Sequence, residues 1–291
     1  MELSTIGVVG AGQMGAGIAQ VFVEAGFDVH LNDVSNIQLE AARARIDQNL
    51  ERQVRKDRIS QEARTQTLAR LRLCPELPEL GASDLIVESA TERETTKEEI
   101  FKALQPHLGA DTVLATNTSS ISVTRLAATT DRPERFMGLH FMNPVPVMKL
   151  VELIRGIATD QTTFEMLHGL VEKIGKTSTT SEDFPAFIVN RVLIPMINEA
   201  CYVLFEGIGN VQSIDESMTL GANHPMGPLM LADFIGLDTC LAIMHVLNDG
   251  LADTKYRPCP LLVKYVEAGW VGRKCGRGFY DYRGDHPVPT R

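Results

Sequence analysis

The sequence contains few cysteines, and none of them stand in a metal-binding or redox spacing. There are five among 291 residues, with no C-x-x-C pair: Cys74, Cys201, Cys240, Cys259 and Cys275. A small domain held together by disulfides needs more cysteines for its length, and a structural zinc site needs cysteines in closely spaced pairs. The cysteine pattern therefore excludes a disulfide framework and a zinc site, and we expect no metal site.

Long apolar runs and an excess of positive charge are also missing. No stretch approaches the roughly 20 apolar residues that span a bilayer, and the N-terminus lacks the basic and apolar prelude of a signal peptide. The net charge of −9 argues against a nucleic-acid surface. Unless a targeting segment has been removed, we expect a cytoplasmic protein that binds neither a membrane nor nucleic acid.

The composition is that of an ordinary globular protein, with 44% hydrophobic and 22% charged residues. A chain of 291 residues is long enough to bury a core in each of two domains. The pattern changes near Asp183, from alternating strands and helices to helices alone. We therefore predict an N-terminal domain over residues 1–183 and a C-terminal domain over residues 184–291.

A glycine-rich corner follows the first apolar run, Ile6–Val9, and leads into a helical pattern. A strand, loop and helix of this kind can hold a pyrophosphate against bare backbone and against the helix's free N–H groups. The candidate cofactor loop comprises Gly10, Gly12, Gln13, Met14 and Gly15. The glycine pattern alone would also fit an ordinary tight turn between a strand and a helix.

An acidic residue at the end of the second strand pattern decides between these two interpretations. The pattern Asp28–Asp33 places a carboxylate eighteen positions after Gly15. At this point an acid binds the ribose 2′-hydroxyl of NAD and repels the 2′-phosphate of NADP. We therefore predict that Asp33 binds NAD and disfavours NADP.

The rest of the chain predicts a doubly wound sheet followed by helices. Two helices, 37–55 and 61–71, form an inserted hairpin; strands follow at 84–88, 112–116, 136–140 and 149–154, with helices at 95–104 and 162–174. The C-terminal helices are 187–205, interrupted at Pro195, then 214–220, 229–247 and 261–268. The predicted fold class is α/β, with a Rossmann-like doubly wound sheet, a helical-hairpin insertion and an all-α C-terminal domain.

Two segments of the C-terminal helices, Val192–Ile197 and Leu229–Ala232, are apolar on more than one face. A helix that is apolar all round must be buried, and about a hundred residues of such helices are hard to cover in one small domain. Either a helix lies at the centre of its own bundle or the domain pairs with a second copy. We expect a homodimer.

The predicted hairpin is basic, although the protein as a whole is acidic. Residues 43–58 contain six basic and three acidic side chains. A positive helix suits a phosphate-bearing substrate. The alternative is a solvated helix face with its own ion pairs.

The segment from Gly138 to Glu152 has the densest cluster of unusual residues. His140 ends an apolar strand pattern, a proline-rich turn follows, and Glu152 lies on the returning strand. A carboxylate on one imidazole nitrogen fixes the tautomer and leaves the other nitrogen free to take a proton from an alcohol. On pattern alone, His140 is also compatible with a structural role.

The sequence resembles the L-3-hydroxyacyl-CoA dehydrogenase family, in its short single-function form, from Ile6 to Tyr282. The motifs that carry this resemblance are Gly10–Gly15, Asn117–Ser120, His140–Pro146, Phe187–Arg191, His224–Pro228 and Gly276–Tyr280. The resemblance implies NAD-dependent, reversible oxidation of a short-chain (S)-3-hydroxyacyl-CoA such as 3-hydroxybutyryl-CoA. It leaves two alternatives: a CoA-independent hydroxyacid dehydrogenase of the gulonate type, and a catalytically idle NAD-binding relative.

The same resemblance implies a role for individual residues. His140 would be the catalytic acid/base with Glu152 as its partner, and Ser119 and Asn190 would hold the substrate's oxygen atoms. Cofactor contacts are implied for Asp33, Glu92, Lys97, Ser119, Asn143 and Lys274, and a CoA contact for Lys56. Two residues depart from the family pattern: Asn49 replaces a CoA-contacting serine of some members, and Ala186 replaces a usual glycine and is expected to stiffen the segment between the domains.

Overall fold

A computed structural model of the chain describes residues 3–290, which form two compact units. The first unit runs up to Phe184 and the second begins at Pro185. Each unit buries its own hydrophobic core.

Eight strands of the first unit form one sheet. They are β1 (Thr5–Val9), β2 (Asp28–Asn32), β3 (Leu71–Cys74), β4 (Leu85–Glu88), β5 (Val113–Thr116), β6 (Phe136–Phe141), β7 (Leu150–Arg155) and β8 (Thr177–Glu182). Their order is β3-β2-β1-β4-β5-β6-β7-β8, and every neighbouring pair is parallel except β6 with β7. β1 lies between β2 and β4, and the chain crosses from β3 to β4 on the other side of β1. This reversal of the strand order opens a crevice at the carboxyl end of β1 that suits a ligand.

Six helices accompany this sheet. They are α1 (Gln13–Glu24), α2 (Asn36–Val54), α3 (Gln61–Ala69), α4 (Glu94–Leu104), α5 (Val123–Ala128) and α6 (Gln161–Lys173), with 3₁₀ turns at Leu77–Leu80, Gln105–His107 and Pro133–Arg135. Polar side chains fix several helix starts; Asp160, for example, accepts the backbone N–H of Thr163 at 2.6 Å before α6. The doubly wound architecture expected from the sequence is confirmed.

Three elements of this unit are absent from the sequence prediction. The helix predicted to Leu71 ends at Ala69, and after the C-cap Arg70 the residues Leu71–Cys74 form β3 beside β2. The strand β8 reads Thr-Ser-Thr-Thr-Ser-Glu, so it lacks the apolar alternation by which strands are recognised. The helix α5 has six residues, too few to show a helical period. The helix predicted to begin at residue 95 begins at Glu94, and Arg93 at its N-cap makes no side-chain cap bond.

The second unit is built mainly of helices. They are α7 (Val189–Phe205), α8 (Val211–Gly221), α9 (Pro228–Ile235), α10 (Leu237–Leu251) and α11 (Pro260–Glu267), with 3₁₀ turns at Thr254–Tyr256 and Arg273–Cys275 and a short hairpin of β9 (Tyr280–Asp281) and β10 (Val288–Pro289). The predicted interruption at Pro195 is wrong, because α7 continues through it while packing on α9, α10 and α11. That packing offsets a proline cost of about 3 kcal/mol.

The single helix predicted over 229–247 is two helices. Gly236 has φ +105° and separates α9 from α10, which are bent by 96° relative to one another. Within residues 3–290, no single helix is both long and apolar enough to cross a membrane; only α9 and α10 taken together reach that length and composition.

Two buried carboxylates hold the second unit together. Asp215 accepts the N–H groups of Leu229 and Met230 at the start of α9 and the hydroxyl of Tyr280 at 2.8 Å. Asp233 accepts the N–H groups of Phe279 and Tyr280 at 2.9 Å each. These bonds involve Phe279 and Tyr280 of the family motif at 276–280 and the two residues that follow the motif at 224–228.

Ala186 adopts a backbone conformation that favours glycine. Its φ is +65°, and that of Phe187 is +53°. A side chain in this left-handed region costs about 1–2 kcal/mol, so a glycine at position 186 would be less strained. The alanine therefore adds strain at the start of the second unit.

Candidate active site

The glycine corner between β1 and α1 has the shape that a dinucleotide requires. Gly10 has φ +96°, and a Cβ there would lie 2.6 Å from the carbonyl oxygen of Ser89; a Cβ on Gly15 would lie 1.7 Å from the carbonyl oxygen of Gly10. At Gly12 a Cβ would meet nothing within 4 Å. Neither a side-chain cap nor an acid occupies the first turn of α1, so its N–H groups can receive a pyrophosphate.

Asp33 lies directly beside this corner. One of its carboxylate oxygens accepts the N–H of Ala11 at 2.8 Å, and the other accepts the N–H of Ser35 at 2.9 Å. Each oxygen keeps a lone pair for a ribose hydroxyl. Val34 and Ile37 follow, with exposed fractions of 99% and 81%. Exposed apolar side chains so soon after the acid suit contact with an adenine ring, and neither residue was predicted from the sequence. The residues present therefore fit NAD.

His140 and Glu152 are opposite each other in the antiparallel pair β6 and β7. Nδ1 of His140 lies 2.8 Å from Oε2 of Glu152, and both side chains are buried. On the other side of the ring, Nε2 lies 3.1 Å from Oγ of Ser119. An ionised Glu152 accepts the Nδ1 proton, which leaves Nε2 of the neutral ring as an acceptor. The arrangement can pass a proton between His140 and an alcohol placed at Nε2.

Asn143 follows β6 in the loop that leads to β7. Its side-chain oxygen accepts the amide of Gln13 at 3.0 Å, which links the loop to the start of α1. Beside this bond is a cavity of about 110 Å³, also lined by Arg45 and Asn49 of α2 and by Pro144. The cavity therefore adjoins both the glycine corner between β1 and α1 and the inserted hairpin.

Glu92 and Lys97 have well-defined partners within the first unit. Oε1 of Glu92 accepts the N–H of Ser119 at 2.7 Å and that of Ser120 at 3.1 Å. The ammonium of Lys97 is 2.8 Å from each carboxylate oxygen of Glu88, and both of these side chains are buried. The sequence analysis missed Glu88, although a charged residue at the end of an apolar strand is a signal for a buried pair.

Several cations of the basic hairpin have no acidic partner among the residues that the structure describes. Two of its acidic residues form ion pairs, Glu51 with Arg55 and Asp47 with Arg64. Among residues 3–290, Lys56 has no ion pair, and its side chain is exposed in the turn after α2. Asn49 donates its amide to Gln20 on α1 at 2.8 Å, so it joins two helices.

Two further candidate residues lie in the second unit. Asn190 is in the first turn of α7 and is half-buried. Lys274 is exposed, and its ammonium lies 2.6 Å from Oδ2 of Asp238. The roles implied for both residues stay predictions.

Comparison with known protein families matches residues 5–184 to the NAD binding domain of 3-hydroxyacyl-CoA dehydrogenase. Residues 187–282 match the C-terminal domain of the same family. The chain belongs to the 3-hydroxyacyl-CoA dehydrogenase family. This confirms the resemblance noted in the sequence, the cofactor NAD and the assignment as an NAD-dependent oxidoreductase.

Similar proteins in this family cover the chain almost end to end. It is 63% identical over 289 residues to a 3-hydroxybutyryl-CoA dehydrogenase of Bradyrhizobium diazoefficiens, with 99% of each chain covered. It is 52% identical to a probable 3-hydroxybutyryl-CoA dehydrogenase of Bacillus subtilis, covering 97% of this chain and 98% of the relative. The crystal structure of (S)-3-hydroxybutyryl-CoA dehydrogenase from Ralstonia eutropha matches with a TM-score of 0.95 and 46% identity, covering 97% of this chain and 100% of that one.

Proposed function

We propose that this dehydrogenase catalyses the reversible oxidation of short-chain (S)-3-hydroxyacyl-CoA, with 3-hydroxybutyryl-CoA as the substrate, to the 3-ketoacyl-CoA. The observation that carries the proposal is the hydrogen-bonded series from Ser119 through His140 to Glu152. The relatives with similar sequences bear the name of this substrate.

In the direction of oxidation, Nε2 of His140 takes the proton of the substrate's 3-hydroxyl, and Glu152 stabilises the imidazolium that results. Bound NAD supplies the acceptor for the hydride that leaves C3. The hydroxyl of Ser119 donates a hydrogen bond where negative charge develops on the substrate oxygen, and Asn190 is proposed as a second donor. Reduction uses the same groups in reverse.

The inserted hairpin is the proposed contact for the CoA moiety. Arg45, Asn49 and Arg52 are spaced four and three residues apart, so they lie on one face of α2. Lys56 follows in the next turn, and Arg45 and Asn49 line the cavity beside Asn143. Cations on one face beside a cavity suit the phosphates of CoA.

A homodimer formed through the second unit is part of the proposal. Several apolar side chains of this unit are exposed, with fractions of 69% at Val192, 71% at Ile208 and 84% at Leu220. Light scattering coupled to size exclusion tests the dimer.

We place the protein in the cytoplasm, where NAD and acyl-CoA thioesters both occur, and cell fractionation tests that location.

Oxidation of NADH, followed at 340 nm, distinguishes the proposal from its alternatives. Acetoacetyl-CoA, longer 3-ketoacyl-CoAs and free keto acids are offered to the same enzyme. Preferred turnover of acetoacetyl-CoA supports the proposal. Turnover of free keto acids alone would favour a CoA-independent dehydrogenase, and NADH binding without any turnover would favour an idle relative.

A further inference from the structure

The loop that carries Ser119 is shaped by one carboxylate from outside it. Oε1 of Glu92 accepts the backbone N–H groups of Ser119 and Ser120 and the hydroxyls of Thr118 and Ser120, at 2.6 to 3.1 Å. Four donors therefore converge on a single carboxylate oxygen. They belong to three consecutive residues, of which the middle one directs its side chain at His140.

Glu92 is itself held from the opposite side. Its second oxygen, Oε2, lies 3.6 Å from the ammonium of Lys97. Lys97 is 1% exposed and is fixed by both oxygens of Glu88, which is fully buried. Glu88 in turn accepts the hydroxyl of Thr116, at the end of β5 and three residues before Ser119.

We propose that Glu92 is a positioning residue, which holds Ser119 against Nε2 of His140 and is itself oriented by the buried Glu88 and Lys97 pair. This role differs from the cofactor contacts implied for Glu92 and Lys97 by the family resemblance. It rests on the proposed function, because a positioned Ser119 matters for turnover only if the enzyme transfers a proton through His140. Glu92 remains 40% exposed, so its replacement leaves no unpaired charge deep in the core.

The first test measures the contact between Ser119 and Nε2 of His140 without an activity assay. The chain has seven histidines, and in ¹⁵N-histidine-labelled protein the His140→Gln variant assigns the ring resonance of His140. Glu92→Ala should shift the His140 Nε2 resonance in the same direction as Ser119→Ala does. A resonance that moves in Ser119→Ala and stays in place in Glu92→Ala overturns the proposal, whether or not the enzyme has the proposed activity.

The second test is a double-mutant cycle on kcat with acetoacetyl-CoA and NADH. Glu92→Ala should lower kcat about 10- to 100-fold, less than the roughly 10²–10³-fold cost of losing a donor outright, because Ser119 is misplaced and not removed. In the Ser119→Ala background the same change should cost less than about threefold, because Glu92 acts through Ser119. Glu92→Gln, which keeps an acceptor oxygen for the loop, should restore most of the turnover.

The affinity for NADH distinguishes a positioning role of Glu92 from a direct contact of Glu92 with the cofactor. The Kd for NADH, measured by fluorescence, should stay within about twofold in Glu92→Ala. Additive losses in the cycle, or weakened NADH binding with normal turnover at saturation, overturn the proposal. Glu94→Ala is the matched control, since it removes a neighbouring carboxylate whose partner is the exposed Arg125. A wild-type enzyme without turnover would refute the proposed function and leave the ring resonance to decide this inference.

Discussion

His140 and Glu152 are register partners in the antiparallel ladder of β6 and β7, and their side chains meet at 2.8 Å. Directly opposite residues of an antiparallel pair share one face of the sheet, so the strand register alone brings them together. Burial at 5% and 0% exposure keeps water from competing for the contact. The pair is therefore fixed by backbone geometry before any substrate arrives.

The charge of Glu152 should matter for both directions of the reaction. Oxidation needs a neutral imidazole and reduction needs an imidazolium, so kcat/KM should rise with pH in the first direction and fall in the second. Glu152→Gln should lower kcat about 100-fold or more in both directions, because the imidazolium loses the carboxylate that orients and stabilises it. Glu182→Gln, which changes an exposed acid on β8, is the control. Normal turnover in Glu152→Gln would show that the pair does not work together.

Asp33 should set the preference for NADH over NADPH. Asp33→Asn keeps an acceptor oxygen near Ala11 but removes the negative charge, so the preference should narrow about tenfold, equivalent to about 1.4 kcal/mol. Initial rates at low concentrations of each cofactor measure this ratio. A wild-type enzyme that uses both cofactors equally would contradict the assignment.

Lys56 should bind the substrate and leave the cofactor unaffected. Lys56→Ala should raise KM for acetoacetyl-CoA about three- to tenfold at low salt, and less at high salt because ions screen the phosphate contact. KM for NADH should not change. Lys102→Ala removes an exposed lysine paired with Glu98 on α4 and serves as the control; equal KM values for both variants would favour a merely solvated helix face.

Asp233 should make the stability of the second unit depend on pH. Burial raises the pKa of this carboxyl from 3.8 to about 6, so the folded state keeps a proton that the unfolded chain has already released. The free energy of unfolding should therefore fall by about 2 kcal/mol as pH rises from about 4 to about 6. Burial also raises the pKa of the neighbouring Asp215, which adds to the same trend.

Chemical denaturation of wild type and Asp233→Asn across this range isolates the contribution of Asp233. The variant should be less stable at pH 4, since an amide cannot accept the N–H groups of both Phe279 and Tyr280. The stability difference should narrow toward pH 6.5. A difference that is constant with pH would mean that Asp233 does not titrate in this window.

Strong local signals in the sequence were sufficient for the doubly wound sheet and for the meeting of His140 with Glu152. The loop glycines, Asp33 and the proline-rich turn after His140 each constrain the backbone within a few residues. The elements β3, β8 and α5 are too short or too polar to show a hydrophobic period. Only their tertiary contacts determine that they form strands or a helix.

The contacts around Glu92 could not be predicted from the sequence. Glu88, Glu92 and Lys97 stand in different local contexts, a strand end, a loop and a helix. Their spacing indicates nothing about which oxygen faces which donor, and only the folded chain brings Glu92 to the N–H of Ser119. The contacts of these residues therefore follow from tertiary structure and not from their spacing in the sequence.

His140 is the group proposed to exchange a proton with the substrate, and every other role in the site depends on it. The decisive measurement is the single-turnover rate of NADH oxidation with acetoacetyl-CoA for wild type and His140→Gln, alongside the NADH Kd of each. We expect the variant's rate to fall by about 10²–10⁴-fold, the contribution of a missing acid/base, with an unchanged Kd. A variant that reduces acetoacetyl-CoA at the wild-type rate would contradict the account.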